Sequence, residues 1–220
     1  MTRRSDDLTI EEKVVVVFDI CSSTTILEDL HQTNNMKTLR NMLIAMKDFI
    51  NTRSLQDRFT AYKFLGDGWI LLFPPDVTGS ALMNCLSRLT QFYSTLFNKK
   101  VARDLQENPK KIGLTFGVDR GQLVRMTLNG KPEYIGWPLN MACRLQGAVS
   151  TNYKRPASRV FLTNHAFNRL QVNTRIYDTK RVAVSLKNVH GGKNMQVWRV
   201  NLLDDIAQRK LVAPFASRRE

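Results

Sequence analysis

Residues 61–73 read AYKFLGDGWILLF: a carboxylate between two glycines, with Phe64 and Leu65 before the trio and the apolar run Trp69 to Phe73 after it. The pattern predicts a tight β-hairpin carrying one acidic side chain, Asp67, at its tip. Gly-Asp-Gly by itself is an ordinary turn. The carboxylate acquires a chemical meaning only if a second one is brought beside it.

A second is available upstream. Lys13 to Ile20, KVVVVFDI, is β-branched and apolar as a buried strand should be, and it ends on Asp19. A buried run closing on a carboxylate is costly unless the carboxylate meets a partner or a cation. Ser22, Ser23, Thr24 and Thr25 then offer N-caps for a helix that runs through Leu39, Met42, Leu43, Met46, Phe49 and Ile50, with a break near Thr33 to Asn35. A strand, a crossover helix and a parallel strand wind right-handed, and the return strand of the hairpin slots between the two parallel strands. The end of the first strand then lies beside the hairpin tip. Asp19 and Asp67 fall together next to a helix N-terminus, an oxygen-ligand site for Mg²⁺ or Mn²⁺ with phosphate alongside.

Beyond Pro74 and Pro75, Val77 to Phe97 reads as a long amphipathic helix whose Leu82, Leu86, Leu89, Phe92, Tyr93 and Leu96 form a core face. Strands are expected over Ile112 to Val118 and Gly121 to Met126, the latter paired with Tyr134 and Ile135 around an Asn129-Gly130 turn. A helix over Leu139 to Val149 places Asn140 and Arg144 on one face. Further strands are expected at Val160 to Leu162, Arg175 to Leu186 and Met195 to Leu202, with a short helix near Asn164 to Leu170. Residues 1–12 are polar and expected to fray, and a polar tail follows residue 202, leaving 13–202 as one domain.

Composition narrows the function classes. The 220 residues are 43% hydrophobic and 24% charged, enough for one sizeable core. No apolar run approaches the roughly 20 residues of a membrane span, so a cytoplasmic protein without membrane association is expected. Cys21, Cys85 and Cys143 are odd in number, widely spaced and without clustered histidines, which argues against a disulfide framework or zinc site. The formal charge is +14, and residues 151–220 hold 14 basic against 4 acidic side chains. Anionic partners are favoured: nucleotide, nucleic acid or an acidic surface.

VVFDICSST, YKFLGDGWILLF, IGLTFGVDRGQLV and YIGWPLNMACRLQGAVS, in this order, resemble the class III adenylate and guanylate cyclase catalytic domain. The resemblance implies an α+β fold: a ferredoxin-like βαββαβ sheet with helices on one face and C-terminal elaborations. It further implies two divalent cations, Mn²⁺ or Mg²⁺, held by Asp19, Asp67 and the backbone carbonyl of Ile20. Asn140 matches the residue that orients the ribose, and Arg144 the one that holds charge developing on the α-phosphate. Lys63 and Glu133 match the base-reading pair. The triphosphate lysine falls in LKNVHGGKNMQVW, where Lys187 and Lys193 both qualify.

The family forms head-to-tail homodimers with composite sites, and the resemblance implies the same here. A lysine with an acid at the base-reading positions suits adenine. Trp137 and Pro138, where small polar residues are usual in purine cyclases, suit a single-ring base. On that ground the chain looks like the stand-alone bacterial pyrimidine cyclases of antiphage defence, with UTP the favoured nucleoside triphosphate, cyclic UMP preferred over cyclic CMP, and no nucleic acid required. Adenylate cyclase is the alternative within the family. A polymerase-palm or diguanylate cyclase reaction and a basic nucleic-acid-binding module without turnover are alternatives outside it.

Overall fold

The valine run at Val14 to Val17 is apolar at every position because it is covered on both faces. In the computed structural model, which describes residues 8–107, 109, 112–153, 158–189 and 191–202, this run is the middle of strand β1 (Thr9–Ile20) at the heart of an eight-stranded sheet. Val14, Val16, Phe18 and Ile20 enter one core, whereas Val15 and Val17 enter another on the opposite face.

Two helices follow, α1 (Ser23–Gln32) and α2 (Met36–Gln56), separated where the sequence predicts a break. The hairpin consists of β2 (Thr60–Phe64) and β3 (Gly68–Phe73), and Leu65 N–H donates to the Gly68 carbonyl across the tip at 2.8 Å. Next come α3 (Gly79–Leu96), capped by the Thr78 hydroxyl, and a short irregular helical passage over residues 97–104. The rest is β4 (Leu114–Leu128), β5 (Lys131–Ile135), α4 (Trp137–Asn152), β6 (Arg159–Thr163), α5 (Asn164–Leu170), β7 (Asp178–Val184) and β8 (Met195–Asn201).

The strand order is β2-β3-β1-β4-β6-β8-β7, with β5 paired to β4 as a side arm. Its first four strands are the βαββαβ unit. The return strand β3 lies between β1 and β2, antiparallel to both. The order β6-β8-β7 is the C-terminal elaboration, β6 running parallel to β4.

The fold is α+β as expected, with one correction: the helices do not all share a face. α1, α2, α3 and α5 pack on the side of Val14, Val16 and Phe18, but Met141, Ala142, Leu145 and Val149 of α4 pack on the other. The reason lies in Gly117 on β4. A Cβ there would stand 2.0 Å from the Ala142 carbonyl oxygen and 2.4 Å from the Gln146 nitrogen, so α4 rests directly on the backbone of β4.

Two further readings shift. The two strands expected over 112–118 and 121–126 are one continuous β4, because Gly121 stays in the ladder opposite Lys13 while making room for Pro138. Thr9 to Glu12, expected to fray, extend β1 against Arg125 to Gln122, and Arg120 Nε meets Glu12 Oε1 at 2.8 Å. The Asn129-Gly130 turn has both residues at positive φ, 50° and 74°, as a type I′ hairpin requires. Buried Asp119 accepts from Thr163 Oγ1 at 2.5 Å, and the same hydroxyl caps α5, so this acid serves the scaffold.

Candidate active site

Register brings the two carboxylates together. Asp19 pairs with Gly68 in the β1–β3 ladder, so Asp67 sits one residue beyond the ladder, at the same end of the sheet. Both acids are half-buried, and Asp67 lies close enough for its charge to act on Asp19. Burial, and then the neighbouring Asp67 charge, push the Asp19 carboxyl from an ordinary 3.8 up to about 7. The Ile20 main-chain N–H and the Gln146 amide oppose the rise by donating to the carboxylate.

Asp67 is held from the other side. Ser22, at φ 58°, turns the chain out of β1, and the Ser23 hydroxyl at the start of α1 donates to Asp67 Oδ2. A cavity of about 310 Å³ opens here, lined by Ile20, Ser23, Leu27, Leu43, Gly66 and Asp67 among others.

The donor set suits a hard cation. Two adjacent carboxylates repel unless a proton or a cation lies between them, and the main-chain carbonyl of buried Ile20 is a further oxygen next to Asp19. No group of three or more His, Cys, Asp or Glu side chains converges among the described residues.

Lys63 and Glu133 also meet, although 70 residues separate them. Lys63 Nζ lies 3.2 Å from Glu133 Oε2, and the Tyr62 hydroxyl donates to the same oxygen. The Tyr62 oxygen in turn accepts from the Tyr134 amide at 3.0 Å, and the two tyrosine rings meet edge-on at 5.1 Å. The Tyr62 bond and the Lys63 ammonium hold the Glu133 carboxyl below its usual range.

Asn140 and Arg144 are both exposed, one turn apart on α4. Gln146 is 200° further round the helix from Arg144, on the side that faces β4 and Asp19. The two residues matched to ribose and phosphate therefore point away from their own chain's carboxylate pair.

Lys187 and Lys193 are exposed on the β7–β8 loop, which is folded by the Leu186 N–H to Gly192 carbonyl bond at 2.8 Å. Val184 pairs with Met195 at this end of the sheet and Asp178 with Asn201 at the other, where β4 and β6 begin beside Asp19. Within one chain both lysines thus lie at the opposite end from the carboxylates. His190 falls outside the described residues.

Sequence reasoning passed over three residues that build this site. Ser23 was read only as a helix cap, Tyr62 not at all, and Gln146 not at all. The i+2 offset of Gln146 from Arg144, which turns it inward, was the available signal.

No protein-family model matches the sequence, and no curated protein does. Solved structures do match in fold. An adenylyl cyclase from P. aeruginosa superposes with a TM-score of 0.66 at 17% identity, over 90% of this chain and 97% of that one. The guanylate cyclase domain from Catenaria anguillulae, in complex with GTP, gives 0.62 at 14% over 89% and 100%. An adenylate cyclase from Trypanosoma brucei, in its monomeric state, gives 0.62 at 14% over 89% and 90%. The fold is that of class III cyclase catalytic domains.

Proposed function

We propose that this chain is a class III nucleotide cyclase that converts a nucleoside triphosphate into its 3′,5′-cyclic nucleotide and pyrophosphate. The observation that carries the reading is the apposition of Asp19 and Asp67 beside the start of α1. Two such acids in contact, one pushed up to about 7, are a poor arrangement for stability and a good one for capturing cations. Mn²⁺ or Mg²⁺ held by Asp19, Asp67 and the Ile20 carbonyl would supply Lewis acidity toward the ribose 3′-hydroxyl and the triphosphate.

The remaining roles belong to the chain's own groups. Asn140 hydrogen-bonds the ribose and fixes the 3′-oxygen for in-line attack on the α-phosphorus. Arg144 holds the charge that builds on the α-phosphate, which a planar, permanently charged guanidinium suits. Lys187 or Lys193 binds the β- and γ-phosphates.

The orientation of α4 supports a composite site. Asn140 and Arg144 face outward on α4 while Gln146 lies against β4, an arrangement that leaves the first two free to meet the carboxylate pair of a second copy docked head-to-tail. Phe64 and Leu65 at one hairpin, and Ile135 and Trp137 at the other, are each about half exposed and would be covered in such a dimer.

For the base, Lys63 donates and Glu133 accepts. That pair fits O4 and N3–H of uracil as well as N1 and the amino group of adenine. Trp137, 57% exposed at the entrance to α4, leaves less room for a second ring, which favours a pyrimidine over ATP by size; of the two pyrimidines UTP is proposed ahead of CTP, whose N3 and amino group the same pair could also read. Cyclic UMP would then act as a second messenger in bacterial antiphage defence. No helix among the described residues is long and apolar enough to cross a membrane.

The test is incubation with ATP, GTP, CTP and UTP separately, with Mn²⁺, and identification of products by mass. Cyclic UMP as main product is expected. Cyclic AMP as main product would overturn the pyrimidine preference and leave cyclisation intact. No cyclic product from any nucleotide, with salt-sensitive RNA binding in its place, would overturn the enzyme.

A further inference from the structure

Gln146 sits where β1, β4 and α4 meet, and its side chain turns toward Asp19 rather than toward solvent. Three observations place it there. Asp19 and Thr115 are register partners in the β1–β4 ladder. The Gln146 amide Nε2 donates to the buried Thr115 hydroxyl at 3.0 Å, which sets the amide beside the Asp19 carboxylate. Gly117, two residues along β4, has no side chain, which lets the Gln146 backbone come so close that a Cβ would stand 2.4 Å from its nitrogen.

We propose that Gln146 is a positioning residue for the metal site: its amide, anchored on Thr115, fixes the Asp19 carboxylate in the orientation that faces Asp67. The inference rests on the cyclase reading of the carboxylate pair and goes beyond it, since Gln146 touches neither nucleotide nor cation. A glutamine suits the task because its amide is uncharged at every pH. It has two N–H donors, one for Thr115 and one for Asp19, and adds no charge to a crowded acidic site. Groups that orient a metal-ligating carboxylate typically change metal affinity by roughly 10- to 100-fold when removed. The same helix carries Asn140 and Arg144 outward, so α4 would brace the carboxylates of one active centre while serving the other.

The test measures Mn²⁺ binding to the full-length protein without nucleotide, from the electron paramagnetic resonance signal of free Mn²⁺. Gln146→Met keeps the volume of the side chain and removes both donors. The expected result is a Mn²⁺ dissociation constant raised about tenfold or more, with the melting temperature measured in EDTA close to the parent's. Should the buried Thr115 hydroxyl, left without its partner, unfold that variant, Gln146→Met with Thr115→Val removes both ends of the bond, and the same rise is expected. Asp67→Asn is the control. Weakened binding in Asp67→Asn together with unchanged binding in the Gln146 variants would overturn the positioning role and leave the cyclase reading standing. Unchanged binding in Asp67→Asn would remove the metal site itself, and with it both readings.

Discussion

Gly68 faces Asp19 across the β1–β3 ladder, and a Cβ at Gly68 would stand 2.2 Å from the Phe18 carbonyl oxygen and 3.1 Å from Asp19 Oδ1. The second glycine of the hairpin is thus needed for backbone approach, which is what brings Asp67 within reach of Asp19. Gly68→Ala must push β3 off β1. Turnover is expected to fall by about 100-fold or more, as ångström-scale misplacement of reacting groups does. Cyclic product and melting temperature measured on the same preparation check this; an active Gly68→Ala enzyme would contradict it.

Gly117 makes the corresponding prediction for the scaffold. Gly117→Ala drives a methyl group into the α4 backbone at Ala142 and Gln146. Overpacking of this kind costs about 1–3 kcal/mol or more, and about 2–4 °C of melting temperature per kcal/mol is typical at this chain length. Thermal scans should show a loss of at least several degrees.

The Asp19 carboxyl predicts a pH-dependent response to metal. Its value in the folded protein, about 7, lies above the ordinary 3.8. Its contribution to stability in metal-free protein is therefore fully present below the lower value and is lost as pH rises through the higher one, because the folded state holds the proton more tightly over that window. Mn²⁺ favours the ionised pair. The rise in melting temperature on adding Mn²⁺ should be small near about pH 5.5 and larger near about pH 8, and Asp19→Asn should flatten the difference. Equal shifts at both pH values in the parent protein would contradict the assignment.

Lys63, Glu133 and Tyr62 predict a change in selectivity with the metal site untouched. Lys63→Ala and Glu133→Ala should each narrow the preference among the four nucleoside triphosphates by about tenfold, the scale of one lost polar contact to a charged group. Tyr62→Phe should do the same more weakly, by releasing Glu133. The Mn²⁺ concentration for half-maximal rate should stay constant in all three. Competition assays with paired nucleotides read the first effect, and metal titrations the second.

The core of the fold was legible because its signals are local. KVVVVFDI, the break at Thr33 to Asn35, the Gly-Asp-Gly tip and Asn129-Gly130 each fix an element or a turn through nearest-neighbour chemistry, and handedness of the crossover then brings Asp19 to Asp67. What was not legible depends on contacts between distant elements. Gly117 and Gly121 look like interruptions until α4 is seen lying on them. The face taken by α4 follows from that contact rather than from its own periodicity. Tyr62 and Gln146 carry no motif, and their roles exist only through Glu133, Thr115 and Asp19 in the folded chain.

The central claim is a site shared between two copies, and subunit complementation tests it most directly. Asp19→Ala removes a proposed metal ligand and Arg144→Ala the arginine proposed to hold the phosphate, so each protein alone should be inactive. Mixed in equal amounts and allowed to exchange, half of the dimers are heterodimers with one intact site in two, and activity should return to about a quarter of the parent's per chain. No recovery after demonstrated subunit exchange would contradict the composite site.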